Sequence, residues 1–260
     1  MAFLTTDDGT KLFYRLDGKA DAPLLVMSNS LGTTHEMWAH QMPALETRFR
    51  VLRYDVRGHG QSAVPAQSYT VDRLGKDVVA LLDHVGVKRA HFCGLSMGGV
   101  TGMWLGRYAP DRVDRLVLCD TGAKIGTTEI WNQRIKACRE GGMQPLMQGI
   151  MERWFTPGFR QTAPQEVEKI AAQTRTTPAE GYAKSSEALR DMDLRNEIAA
   201  IRAKTLVICG AHDPATTPAD AKFIVDKIQG ARYVELPAAH ISNVEAADRF
   251  TKALVDFLTA

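Results

Sequence analysis

Residues 90–108 read AHFCGLSMGGVTGMWLGRY, and the order of their parts decides the fold. Ala90 to Leu95 is a short, largely apolar run of the kind that forms a strand covered on both faces. Met97 to Tyr108 has the length of a helix. Between them stands Gly94-Leu95-Ser96-Met97-Gly98, a G-x-S-x-G pattern. A strained strand-to-helix turn of this kind pushes the serine hydroxyl out above the sheet, and small flanking residues admit the crowding backbones. The helix N-terminus adds N–H donors and a positive dipole end for a developing oxyanion. The five-residue pattern is common by itself; the strand before it and the helix after it make Ser96 the candidate nucleophile.

Working outward, LTTDDGTKLFYRLDG near the start predicts a hairpin turning at Asp8-Gly9, since Asp-Gly supplies the positive φ angles of a tight turn. Further strands are expected at Leu24–Asn29, Phe49–Asp55, Val113–Asp120, Lys204–Gly210 and Ala231–Pro237. Helical spacing lies between them. Val71 to Val85 puts Leu74, Val78, Leu81 and Leu82 on one face, and Pro218 to Ile228 opens with proline at its first position after Thr217. Ser242 with Glu245 has the spacing of a capping box and predicts the start of the last helix. Strands alternating with helices imply an α/β fold whose sheet, of about eight strands, is mostly parallel with right-handed crossovers.

One interval departs from this rhythm. From Gly122 to Arg190 there is no strand candidate, only helix-like segments punctuated by Gly141-Gly142, Pro157-Gly158, Pro164 and Pro178. A structureless loop of that length is implausible, so the expectation is a helical cap over residues 122–190, inserted in a core made of 1–121 and 191–260.

Composition narrows the function classes. Of 260 residues, 45% are hydrophobic and 24% charged, which suits a globular core and excludes a disordered or collagen-like chain. A net charge of +2, with bases scattered among acids, gives no nucleic-acid footprint. No apolar run is long enough to span a bilayer, and MAFLTTDDGT lacks the basic flank of a signal peptide, so a cytoplasmic address is expected. Cys93, Cys119, Cys138 and Cys209 are widely spaced within apolar or helical stretches and read as reduced structural residues, not zinc ligands.

A serine needs a base. In a chain with this strand-to-helix serine the order is nucleophile, acid, histidine, and only His212 and His240 of the seven histidines follow Ser96. His212 adjoins the acid candidate, which leaves His240, in the loop LPAAHIS after the last strand. Asp213, in GAHDPATTP after Lys204–Gly210, is the expected acid; Asp120, ending the strand before the cap, is its rival. The backbone N–H groups of Leu31, in the loop SNSLGTTHEMW, and of Met97 are the expected oxyanion donors.

Together SNSLGTTHEMW, YDVRGHGQS, GLSMGG, GAHDPATTP and AAHISNVE resemble the α/β-hydrolase superfamily along the whole core. GLSMGG followed by LCDTGAKIGTTEIWNQRI more closely resembles the 3-oxoadipate enol-lactonases of the protocatechuate branch of the β-ketoadipate pathway. The resemblance implies an α/β-hydrolase fold with a helical cap, hydrolysis of a five-membered enol lactone bearing a carboxymethyl group, and neither metal nor organic cofactor. The implied partner is that small carboxylate-bearing lactone, with no nucleic acid or membrane, in a monomer or weakly associating homo-oligomer. The substrate carboxylate would need a cation. Trp131 and Arg134, three apart on a helix, share a face and fit an apolar wall and a two-pronged carboxylate clamp. Arg57 and Arg153 are the less favoured cations, and Trp154 reads as packing. Two other readings keep the fold: a carbon–carbon bond or carboxylester hydrolase for a related aromatic breakdown product, and a ligand receptor with little turnover.

Overall fold

The structure is a computed structural model that describes residues 2–260. Eight strands form one sheet in the order β1-β2-β4-β3-β5-β6-β7-β8. The hairpin β1 (Ala2–Thr5) and β2 (Lys11–Gly18) turns through Gly9, whose φ is 82°, and β2 runs antiparallel to β4 (Arg50–Tyr54). The other neighbours, among β4, β3 (Leu24–Ser28), β5 (Ala90–Leu95), β6 (Val113–Cys119), β7 (Lys204–Gly210) and β8 (Arg232–Leu236), are parallel. Each expected strand is present. Every residue of β3 and β5 is buried, which is why these runs lack alternation. Helix α1 (Met42–Leu45) is a single turn after β3. Helix α2 (Val71–His84) buries Leu74, Val78, Leu81 and Leu82 and packs on α3 (Met97–Tyr108), which lies across β5 and β6.

From β3 the chain goes to β4 on one side and then crosses back to β5 on the other side of β3, so the strand order reverses there. Such a reversal opens a crevice at the carboxyl ends of the strands, where ligands bind in open α/β sheets. Between β6 and β7 five helices cover that end: α4 (Thr128–Gly141), α5 (Met147–Trp154), α6 (Pro157–Thr162), α7 (Pro164–Arg175) and α8 (Ala179–Asp191). Their ends follow the punctuation, with Pro157 and Pro164 at first helical positions and Gly142 closing α4 at φ 65°. Buried Lys184 of α8 anchors them to the core, its ammonium donating to the carbonyls of Pro65 at 2.7 Å and Ala66 at 2.8 Å.

The chain's end differs from the sequence reading. Helix α9 (Pro218–Lys227) carries a true capping box, between Thr217 and Asp220. The one expected at Ser242 and Glu245 does not form. Those residues make a short turn, α10 (Ser242–Glu245), which breaks at Ala246 before α11 (Ala247–Thr259). Long-range partners take both side chains: Ser242 Oγ donates to Asp120, and the Glu245 carboxylate accepts from the Ala239 and Thr156 amides. All four cysteines are buried and unbridged. Among the described residues no helix is long and apolar enough to cross a membrane.

Candidate active site

Ser96 sits on the turn between β5 and α3 with φ 57° and ψ −113°, a conformation an L-residue adopts only when its surroundings hold it there. Its N–H donates to Cys119 O at 2.9 Å, and its carbonyl accepts from Thr121 Oγ1 at 2.8 Å. A Cβ at Gly98 would lie 2.2 Å from Ser28 O, and one at Gly94 2.1 Å from Gly98 O. Both flanking positions therefore exclude any larger residue, which is the physical content of the motif.

Asp213 follows β7 and His240 follows β8, so both project from strand ends on the Ser96 side of the sheet. Asp213 Oδ2 lies 2.7 Å from His240 Nδ1 and accepts from Thr216 Oγ1 at 2.7 Å; Oδ1 accepts from the amides of Ala215 and Thr216 at 2.7 and 3.1 Å. This web turns the imidazole so that Nδ1–H donates and Nε2 is left as the acceptor. Burial would push the Asp213 carboxyl up, but the positive field of His240 and these donors outweigh it and hold it below its ordinary value. Burial likewise disfavours the imidazolium, yet the Asp213 charge holds His240 above its ordinary value. Ser96 and His240 line one cavity without a hydrogen bond between them. Such contacts often tighten only when substrate is bound.

Asp120, the rival acid, does not hydrogen-bond the histidine. It is fully buried, accepts from Gly210 N–H at 2.7 Å and from Ser242 Oγ, and bridges the ends of β6 and β7 to the histidine loop. Burial first, and the nearby Asp213 charge second, push its carboxyl up to about 8.

Among the described residues, the amides of Leu31 and Met97 donate to no protein acceptor, while those around them are engaged. Ser30 N–H meets Met37 Sδ at 3.4 Å, Gly32 N–H donates to His59 Nε2 at 3.0 Å, and Gly98 N–H to Asn29 O at 3.1 Å. The role of His59 was not legible in the sequence. Its Nδ1 lies 3.2 Å from Arg57 O, so a neutral ring with Nδ1 protonated satisfies both contacts. Burial holds it below its ordinary value, in that neutral form.

The cavity is narrow and partly open, with about 40 Å³ of free room between its walls. Trp131 and Arg134 both line it, the guanidinium carbon 5.0 Å from the indole centroid. Trp131 Nε1 is spent on Ile125 O at 2.7 Å, so its ring serves as a wall. Arg153, of α5, faces the same cavity, and neither arginine makes an ion pair among the described residues. Arg57 does not: it is buried elsewhere, with both Nε and Nη2 at 2.6 Å from the Asp77 carboxylate and Nη1 at 2.8 Å from Asp8. Trp154 lines the cavity too, its ring 6.3 Å from that of His240. Tyr182 of α8, unremarked in the sequence, completes the lining; nothing in its local pattern marks it.

A serine on a strained strand-to-helix turn over a mostly parallel eight-stranded sheet defines an α/β-hydrolase. Residues 23–247 match the family model for the alpha/beta hydrolase fold, and the chain belongs to that family. It is therefore a hydrolytic enzyme, and its likeness runs to enol-lactonases over nearly its whole length. It is 44% identical to 3-oxoadipate enol-lactonase 2 of Acinetobacter baylyi over 251 residues, 96% of this chain and 94% of that protein. It is 38% identical to 3-oxoadipate enol-lactonase 1 of the same organism, over 98% of this chain and 96% of that one. The crystal structure of the enol-lactonase from Burkholderia xenovorans LB400 matches it with a TM-score of 0.98 at 47% identity, each chain covered in full.

Proposed function

We propose that this enzyme opens 3-oxoadipate enol-lactone to 3-oxoadipate, in the β-ketoadipate pathway of aromatic catabolism, through an acyl-enzyme formed on Ser96. His240 takes the serine proton as Oγ attacks the ring carbonyl, and Asp213 orients the imidazole and stabilises its charged form. The amides of Leu31 and Met97 receive the tetrahedral oxyanion. Cleavage of the ring C–O bond expels an enolate, a better leaving group than an alkoxide. His240 returns its proton to the enolate carbon, giving the ketone. Water, activated by His240, then attacks the acyl carbonyl and frees Ser96.

The observation that carries this reading is Arg134, laid against the Trp131 ring in the cavity that Ser96 and His240 line, with no protein carboxylate paired to it. A cation left so in a small apolar-walled pocket suits a substrate that brings its own carboxylate. The test is a lactonase assay on the wild type beside Ser96→Ala, with a dienoate diketone and aryl esters as competitors for the role. Sustained turnover of the enol lactone near ordinary enzyme rates, about 10 per second, abolished in Ser96→Ala, is the expected result. Inert enol lactone beside rapid cleavage of the diketone would replace it with carbon–carbon hydrolysis.

A further inference from the structure

The cavity holds one more cation than a monoanionic lactone requires. Arg134 reaches it from α4 and Arg153 from α5, and both border the space that Ser96 and His240 also border. The two positive charges oppose each other in a partly desolvated site: burial, and then the field of Arg134, hold Arg153 below the ordinary guanidinium value. Folding alone gives no reason to keep such a pair together, since like charges in a confined space destabilise the protein. Two anionic oxygens arriving side by side would supply one.

The proposed reaction creates that situation, and this inference rests on that reading. In the lactone the carboxymethyl group is attached to the carbon that bears the ring oxygen. When serine Oγ bonds to the carbonyl carbon and the ring C–O bond breaks, its electron pair stays on the ring oxygen. The new enolate oxygen then lies close to the carboxylate already present. A single arginine neutralises the carboxylate before and after ring opening alike and so adds little to the rate. The second charge exists only from the transition state onward. A cation aimed at it lowers the barrier.

We infer that Arg153 is a catalytic residue that stabilises the leaving enolate oxygen, while Arg134 binds the substrate carboxylate. The work is thereby divided: Arg134 governs affinity, and Arg153 governs the ring-opening step until His240 delivers the serine-derived proton to the enolate carbon. Trp154, next to Arg153 on α5 and ring to ring with His240, ties the helix that carries this cation to the histidine that completes the step.

Steady-state kinetics of wild type, Arg153→Met, Arg153→Lys and Arg134→Ala test the division. The substrates are the enol lactone and p-nitrophenyl acetate, whose phenolate leaves without help. Arg153→Met should lower kcat on the enol lactone on the order of 10²-fold with KM little changed, and leave p-nitrophenyl acetate within about 3-fold of wild type. Arg153→Lys, which keeps the charge, should recover part of the loss. A higher KM at unchanged kcat in Arg153→Met would make Arg153 a second carboxylate clamp and overturn the inference. Equal losses on both substrates would make its role structural and overturn it too. A wild type that cleaves p-nitrophenyl acetate but leaves the enol lactone intact would overturn the lactonase reading itself, and this inference with it.

Discussion

Oδ2 of Asp213 and Nδ1 of His240 stand 2.7 Å apart, both buried, although 27 residues separate them in the chain. Parallel neighbours β7 and β8 make this possible, since each side chain leaves the same end of an adjacent strand. Asp213→Asn should retain the fold but offer the imidazole the wrong partner, favouring the tautomer that cannot accept the serine proton. The expected loss in kcat is on the order of 10⁴, measured on the enol lactone and on an aryl ester alike. A loss below about 10-fold, with circular dichroism unchanged, would remove Asp213 from the triad.

The same pair sets the pH profile. In the proposed mechanism His240 must be neutral to take the serine proton, and the Asp213 charge raises its pKa against the opposing effect of burial. Activity should therefore fall as pH drops through a midpoint above about 6.5, the ordinary histidine value. The acid limb of kcat/KM reports this in the free enzyme. A midpoint below that value would contradict the raised pKa.

Local pattern revealed the strands and the elbow because each follows from neighbouring residues: an apolar run, a glycine that no larger residue can replace, a proline at a helix start. The chain order expected for this fold, serine then acid then histidine, points to the loops after β7 and β8. The rest depends on partners far away in sequence. Ser242 and Glu245 have the spacing of a capping box, yet Asp120 and Thr156 claim them from more than 80 residues away. His59 holds the Gly32 amide from a loop that carries no local mark of that task, and Arg57 is lost to Asp77 on another element. Arg153 differs from a solvated helix arginine only because α5 turns it into the same cavity as Arg134.

Asp120 stores a pH dependence of stability. Its carboxyl is raised to about 8 in the folded protein from an ordinary value of 3.8, so the folded state binds the proton more tightly than the unfolded chain. The resulting stabilisation is full below pH 3.8 and is lost as pH rises through about 8. Asp120→Asn keeps an acceptor for Gly210 N–H and places a donor toward Ser242 Oγ, and it cannot ionise. It should flatten the decline in stability over that window and raise stability at pH 9 by on the order of 1 kcal/mol or more relative to wild type. Urea unfolding at pH 5 and pH 9 measures it; parallel curves for the two proteins would refute the assignment.

Arg134→Ala separates recognition from chemistry. Removing a charge-assisted clamp should raise KM for the carboxylate-bearing lactone about 10- to 100-fold, while uncharged aryl esters change little. Equal losses on both substrates would show that the side chain supports the pocket wall through Trp131 and has no part in holding the carboxylate.

Glu245 joins the helices over the site to the histidine loop. Its carboxylate accepts from the Thr156 amide at 3.3 Å, from the Thr156 hydroxyl, and from the Ala239 amide at 2.9 Å, one residue before His240. A second tie runs in parallel, from Ile241 N–H to Trp154 O at 3.1 Å. The position of His240 is thus referenced to the α5–α6 junction as well as to the sheet. Glu245→Ala leaves the buried Ala239 amide and the half-buried Thr156 donors unpaired and should cost about 1–3 kcal/mol in stability. If the carboxylate also positions the base, kcat should fall for both the enol lactone and aryl esters, well below the unfolding temperature, with KM nearly constant. Glu245→Gln, which retains one acceptor oxygen, should recover part of both losses. A variant destabilised to this extent but catalytically unchanged would show that the Asp213 and Asp120 contacts hold the loop without help from Glu245.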